Sequence, residues 1–138
     1  MLDTNVLSEM FRKEINENVH AFMAKQEVSD LMIAVVSITE LRYGALTHEN
    51  PARGLTLQSK IDGFLNSIPD KNILVLDRAA VEICAQLMAE SRASSPREKL
   101  ADLQIAAIAM SRNIPVVTRN IKDFQHEGLR VINPWATP

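Results

Sequence analysis

Three short runs of Val, Ile and Leu punctuate the chain: "LMIAVVS" (Leu31 to Ser37), "NILVL" (Asn72 to Leu76) and "IPVVT" (Ile114 to Thr118). Runs of this length without polar alternation suit parallel strands covered on both faces. "LRVIN" near the end adds a fourth candidate, and the residues before Asp3 a very short opening strand. Between the runs, apolar positions recur every three or four residues, the spacing of a helical stripe. Val19, Phe22 and Met23 form one stripe, Leu57, Ile61, Phe64, Leu65 and Ile68 a second, and Val81, Cys84, Leu87 and Met88 a third. A further, buried helix is expected over "KLADLQIAAIAMSRN" (Lys99 to Asn113), which has almost no polar face. "HENPARG" and "SRASSPRE" read as exposed turns. Strands alternating with helices call for right-handed βαβ crossovers, hence an α/β sandwich around a parallel sheet of four to five strands.

Composition narrows the class. A chain of 138 residues with 46% hydrophobic and 23% charged residues is expected to form one domain, residues 1–138, with a real core. The single cysteine, Cys84, lies among apolar neighbours and reads as a core residue, so no disulfide within the chain is possible, which fits a reducing cytoplasm. "MLDTNVLSEMFRKE" lacks a signal-peptide layout and no apolar run is long enough to span a bilayer. A soluble, cytoplasmic protein with no membrane contact is the expectation. A net charge of -2 excludes a basic nucleic-acid coat, and 4% aromatics a base-stacking platform. An enzyme that meets nucleic acid through metal ions and a local basic strip remains.

In parallel α/β sheets, ligands gather beyond the carboxyl ends of the strands. The residues there are Asp3-Thr4-Asn5, Ser37 to Glu40, Asp77, and Arg119-Asn120 with Asp123, while Asp102 lies on the helix leading into the "IPVVT" strand. Each acid has a structural reading beside a chemical one. Asp3 could cap the next turn, with even weight on either role. "SITE" is a capping-box pattern, which taken alone favours a cap for Glu40. Asp77 before "RAAVEICAQLM" reads as a plain N-cap. Asp102 is different. "SPRE" ahead of it is already a capping box with Pro96 at the first helical position, so a cap explains Asp102 poorly unless the helix starts near Leu100, and a paired ion is the other structural reading.

The three histidines show no zinc-ligand spacing. No GxSxG, GxGxxG or GxxxxGK[ST] occurs, and the chain offers acids rather than nucleophiles. Clustered carboxylates repel one another, and a divalent cation relieves that repulsion. Oxygen-only ligation suits Mg²⁺ or Mn²⁺, which activate water and neutralise a scissile phosphate. Arg12, Lys13, Arg42 and Arg119 are candidates for holding a phosphate backbone, against their reading as solvated surface charges.

Four fragments taken in order, "LDTNVLSE", "SITELRYG", "ADLQIAAIA" and "VVTRNIKDF", together with the closing "INPW", resemble PIN-domain proteins, and within them the VapC and FitB-type toxins of type II toxin–antitoxin systems. The resemblance spans nearly the whole chain. It implies a PIN-like α/β/α domain with Mg²⁺- or Mn²⁺-dependent endoribonuclease activity. Asp3, Glu40 and Asp102 match the family's three main acids. Asp3 and Asp102 would hold the ion, with Glu40 as a further ligand or the water-orienting base, and Thr4, Asn5 and Thr118 would fix the carboxylates. The fourth acidic position falls on Asn120, with Asp123 as the other candidate to fill it. Only Met1 and Leu2 precede Asp3, where family members carry more apolar residues, so the first strand is clipped or the start lies upstream. The partners implied are an RNA substrate, a second copy of the chain, and a small DNA-binding antitoxin that alone contacts operator DNA. The faces at Val19, Phe22 and Met23, or along Leu57 to Ile68, could serve such contacts, with core packing as the competing reading. Two other functions stay open: a Mg²⁺-dependent phosphoacceptor or phosphatase using Asp3 as nucleophile, and a catalytically silent antitoxin-binding module.

Overall fold

The computed structural model describes residues 1–91 and 99–136. Within them the chain forms α1 (Thr4–Met10), α2 (Glu17–Met23), β1 (Ile33–Ala34), α3 (Val35–Leu46), α4 (Pro51–Ser67), β2 (Ile73–Leu74), α5 (Arg78–Glu90), α6 (Leu100–Ser111), β3 (Val116–Val117) and β4 (Val131–Ile132). Leu2 makes parallel bridges to Ile33 on one side and Val117 on the other. Ile33 and Ala34 pair in parallel with Ile73 and Leu74, and Val116 and Val117 with Val131 and Ile132. The order across the sheet is therefore β2, β1, Leu2, β3, β4. The opening segment lies at its centre.

Strand periodicity divides the core between two faces. Met1, Ala34, Leu74 and Val116 pack with α5 and α6, on Cys84, Leu87, Leu103 and Ile105 to Ala109. Their neighbours Leu2, Ile33 and Val117 pack on the opposite side with Val6, Leu7, Val19, Leu41 and Ile61 of α1 to α4. Alternation by one residue thus sends side chains into two separate apolar layers, and the α/β/α sandwich follows. The stripes of α2 and α4 are turned into this second layer, as core packing requires.

Several boundaries differ from the sequence expectation. The run Leu31 to Ser37 is a strand only at Ile33–Ala34, because α3 begins at Val35. Its apolar character continues since Val36, Ile38 and Leu41 still face the core, now as a helical face. The "SITE" capping box does not form: Ala34 occupies the N-cap, and Ser37 is buried inside the helix with its hydroxyl unpartnered among the described residues. "HENPARG" is a turn only up to Asn50, whose side chain accepts the Arg53 N–H while Pro51 opens α4. Val81 is 45% exposed; the buried stripe of α5 runs through Ala80, Cys84 and Leu87. The "SPRE" box and most of "SRASSPRE" lie outside the described residues. Gly54 lets α4 approach α3, since a Cβ there would stand 2.5 Å from the Ala45 carbonyl oxygen.

Candidate active site

Elements from the whole chain converge at the carboxyl end of the sheet. Asp3 leaves the central strand position and caps α1. Glu40 lies in the second turn of α3 and Asp102 in the first turn of α6. Arg119 and Asn120 follow β3 directly. All of these, with Thr4 and Asn5, line a cleft of about 340 Å³. The helix carrying Asp102 starts at Leu100, with Lys99 at its N-cap and no side-chain cap bond. Asp102 is thus a first-turn residue, at the helix end whose dipole favours negative charge. No described group bonds its carboxylate, so it does not serve as a cap.

Asp3 is held from three directions. Its Oδ1 accepts the Thr4 N–H at 2.7 Å, and its Oδ2 accepts Asn5 Nδ2 at 2.6 Å and the Thr118 hydroxyl at 2.8 Å. Thr118 is fully buried and acts as a hub. While donating to Asp3, its oxygen accepts Asn5 Nδ2 and the Asn120 N–H, each at 2.9 Å. The Arg119 N–H closes the frame on Asn5 Oδ1 at 3.2 Å. Glu40 accepts the Thr4 hydroxyl, which ties α3 to the start of α1. Thr4, Asn5 and Thr118 therefore hydrogen-bond the carboxylates of Asp3 and Glu40.

The electrostatics are those of unneutralised acids. Burial, followed by the charge of Asp3, Asp123 and Glu40, pushes the Asp102 carboxyl up to about 6. Burial also raises Asp3, partly offset by its bonds to Thr118 and Thr4. The fourth position is divided. Asn120 lines the cleft, while Asp123 is absent from the lining and is held by the Asn120 amide and by Lys99 at 2.5 Å. That lysine holds the Asp123 carboxyl below its ordinary range.

Of the four candidate cations, Arg12 and Arg119 line the cleft. Lys13 lines a different cleft and Arg42 pairs with Asp62 at 2.5 Å. Three lining residues, Ser8, Glu9 and Trp135, lay beyond the sequence reading. Glu9 is a buried acid whose Oε1 accepts the Asn16 N–H at 2.9 Å, with Arg12 3.3 Å from Oε2. Its signal was an acid on α1 among buried positions. Trp135, the only tryptophan, lies with Arg119 5.2 Å from its ring centroid, and "INPW" carried it in plain view.

Among the described residues no three Asp, Glu, His or Cys side chains are arranged to enclose an ion by themselves. The donors nonetheless fit Mg²⁺ or Mn²⁺, because such ions keep several waters and need only one or two carboxylates. Asp102 has uncommitted oxygens facing other acids, and Asp3 is already oriented by the bonds that fix such ligands.

The PIN domain family pattern matches residues 1–126. VapC ribonuclease Y4jK of Sinorhizobium fredii is 32% identical over 98% of this chain and 96% of its own. The crystal structure of FitAcB from Neisseria gonorrhoeae contains a chain that superposes with a TM-score of 0.86 at 29% identity, covering 99% of this chain and 98% of that one. VapBC2 from Rickettsia felis, solved bound to a DNA fragment from its promoter, gives a TM-score of 0.72 at 25% identity over 96% of each chain. The chain belongs to the PIN domain family.

Proposed function

We propose that this protein is a Mg²⁺- or Mn²⁺-dependent endoribonuclease, the toxin of a toxin–antitoxin pair, acting in the cytoplasm with residues 1–138 as one PIN-like domain. The observation that carries this reading is the cleft itself: Asp3, Glu40 and Asp102 meet from three separate elements with Asp3 fixed and Asp102 unpaired. Similarity to a VapC ribonuclease supports RNA as the substrate.

Asp3 and Asp102 would hold the ion, which supplies charge neutralisation at the phosphate and an acidified water. Thr118 and Asn5 keep Asp3 in one orientation. Glu40, exposed and bonded by the Thr4 hydroxyl, would orient the attacking water and take its proton. Asn120 can accept a bond from a water on the far side but adds no charge. Arg12 and Arg119 flank the acids as phosphate contacts. The phosphoacceptor reading finds no support. Asp3 is 4% exposed and its carboxylate accepts three hydrogen bonds, an arrangement for holding still rather than attacking.

The chain's partners follow from the same reading: a small DNA-binding antitoxin, through which alone operator DNA is contacted, and a second copy of the toxin. The promoter-bound VapBC2 relative supports the first. Tyr43, Leu46 and Leu55, each about two-thirds exposed, supply apolar surface on α3 and α4 for a homodimer.

The test is cleavage of structured RNA by purified protein with Mg²⁺ or Mn²⁺. EDTA should abolish it, and Asp102→Asn should lower it more than about a hundredfold, beyond the effect of residues that only orient ligands. Parental activity in Asp102→Asn would refute the assignment.

A further inference from the structure

We propose that a second cleft, between the end of α1 and the first half of α4, binds the phosphodiester backbone of the RNA strand whose scissile bond lies among the acids. This rests on the ribonuclease reading and extends it to a separate site. The cleft measures about 440 Å³, and its lining includes Phe11, Lys13, His48, Arg53, Leu57 and Lys60. No acid lines it, although Asp and Glu outnumber Lys and Arg by 17 to 15 in the chain.

The cations of this cleft are also free. Among the described residues Arg12, Arg42, Lys99 and Arg112 are each paired with a carboxylate, whereas Lys13, Arg53 and Lys60 have no such partner. Lys60 makes only a long bond to the Phe11 carbonyl, at 3.4 Å. His48 accepts the Asn50 N–H on Nδ1 at 3.0 Å, so its Nε2 carries the proton and is a donor. Exposed cations that the fold does not use, gathered in one concavity, match a polyanion.

The acidic cleft needs such a neighbour. Its carboxylates repel a phosphate backbone, while Arg12 is engaged with Glu9 and Arg119 lies against Trp135. Arg12 and Lys13 are consecutive, yet the first lines the acidic cleft and the second the basic one. The turn after α1 therefore sets the two clefts side by side, and Lys13 is the cation it leaves without a carboxylate partner. Phe11 and Leu57 give the basic cleft an apolar wall on which a base can rest. Phe11 is braced by edge contact with Phe64, ring centroids 5.8 Å apart.

The experiment measures binding of a fluorescein-labelled single-stranded RNA of roughly 20 nucleotides over a series of salt concentrations. It uses full-length Asp102→Asn protein, so that cleavage does not interfere. Adding Lys13→Ala, Arg53→Ala and Lys60→Ala together should weaken binding tenfold or more and flatten the salt dependence by about 2, at roughly 0.7 per lost phosphate contact. Lys71→Ala, Arg78→Ala and Arg130→Ala, which change net charge equally and line neither cleft, should leave binding at the parental level. Lys13→Arg, Arg53→Lys and Lys60→Arg together should restore it, which separates charge from folding. Equal binding by the parent and the first triple variant, or equal losses in the two alanine triples, overturns the proposal. So does a first triple that keeps its RNA affinity and loses only binding to a polyglutamate peptide, the mark of an acidic protein partner. Metal-dependent cleavage by the unmodified protein is scored separately. Cleavage with cleft-independent binding overturns this site alone, and cleft-dependent binding without cleavage overturns the ribonuclease reading while supporting the site.

Discussion

Asp3 and Asp77 occupy the same place in the local grammar of the chain. Each follows a strand position of the parallel sheet and caps the helix that comes next. Yet Asp77 accepts the Ala80 N–H at 3.0 Å and pairs with Arg112 at 2.9 Å, and these bonds hold its carboxyl below the ordinary range. Asp3 is buried among other acids and is pushed the opposite way. Burial is the larger cause at Asp3 and the Ala80 N–H at Asp77, and one helix sharpens the contrast. The first turn of α6 sets Asp102 beside Asp3, and its C-cap sets Arg112 beside Asp77. A cap becomes part of a reactive site when the element opposite brings a like charge, and stays structural when it brings a counterion.

The sharpest way to break this contrast is to neutralise both aspartates in turn. Asp3→Asn should abolish Mn²⁺ binding by calorimetry and RNA cleavage with it. Asp77→Asn should retain both and show only a slightly lower melting temperature. Loss of metal binding in Asp77→Asn would mean that the two ends are not electrostatically independent. Next in size is Thr118→Val, which removes the hub hydroxyl from Asp3, Asn5 and the Asn120 N–H. It should reduce Mn²⁺ affinity about 10- to 100-fold and cost roughly 1–3 kcal/mol of stability by stranding buried polar groups.

The smallest effect concerns the protein in EDTA. Asp102 rises from 3.8 to about 6 on folding, so the folded state binds the extra proton. Its contribution is fully present below about pH 4 and is lost as pH rises through about 6. Because the group is partly solvated, the loss at neutral pH should be only about 1 kcal/mol. Melting temperature should therefore fall between pH 4 and 7, and Asp102→Asn should flatten that slope and melt higher at pH 7. Metal affinity should run the other way, climbing over the same range as the carboxylate ionises. A melting temperature that rises with pH in the parent and falls in the variant would reverse the sign of the argument.

The layout of the sheet was legible because strands buried on both faces must be apolar, as the three Val, Ile and Leu runs are, while "LRVIN", with Arg130 and a partly exposed Ile132, forms the edge. Where strand gives way to helix was not. Val35 and Val36 extend the apolar run of β1 although they already belong to α3, since a helix packed on the core needs the same residues there. The "SITE" box failed for the same reason: it requires Ser37 at the N-cap, and tertiary packing puts the N-cap at Ala34, three residues earlier. The sequence already set Asp77 apart as a plain N-cap, but the neighbours that reinforce the difference, Arg112 beside Asp77 and Asp102 near Asp3, are brought in only by the fold. The acids of the cleft could be named because chemistry constrains their type. Glu9 and Trp135 could not, because a buried acid on a helix and a terminal tryptophan have structural uses as well. The sequence also raised Asn120 and Asp123 together for the fourth position. The structure makes them unequal, with Asn120 on the wall and Asp123 behind it, held by Lys99.

The bond from Thr118 to Asp3 joins residues 115 apart in the chain. On a ribosome, that separation becomes a delay. Asp3 is made almost first, but the hydroxyl that orients it and the strand that carries it are made near the end, after Asp102. A nascent chain released early, or cut ahead of β3, holds the acids of α1 and α3 without the frame that aims them. The cell is thereby exposed to the assembled cleft only once nearly the whole chain has left the exit tunnel, whichever helices have formed before then.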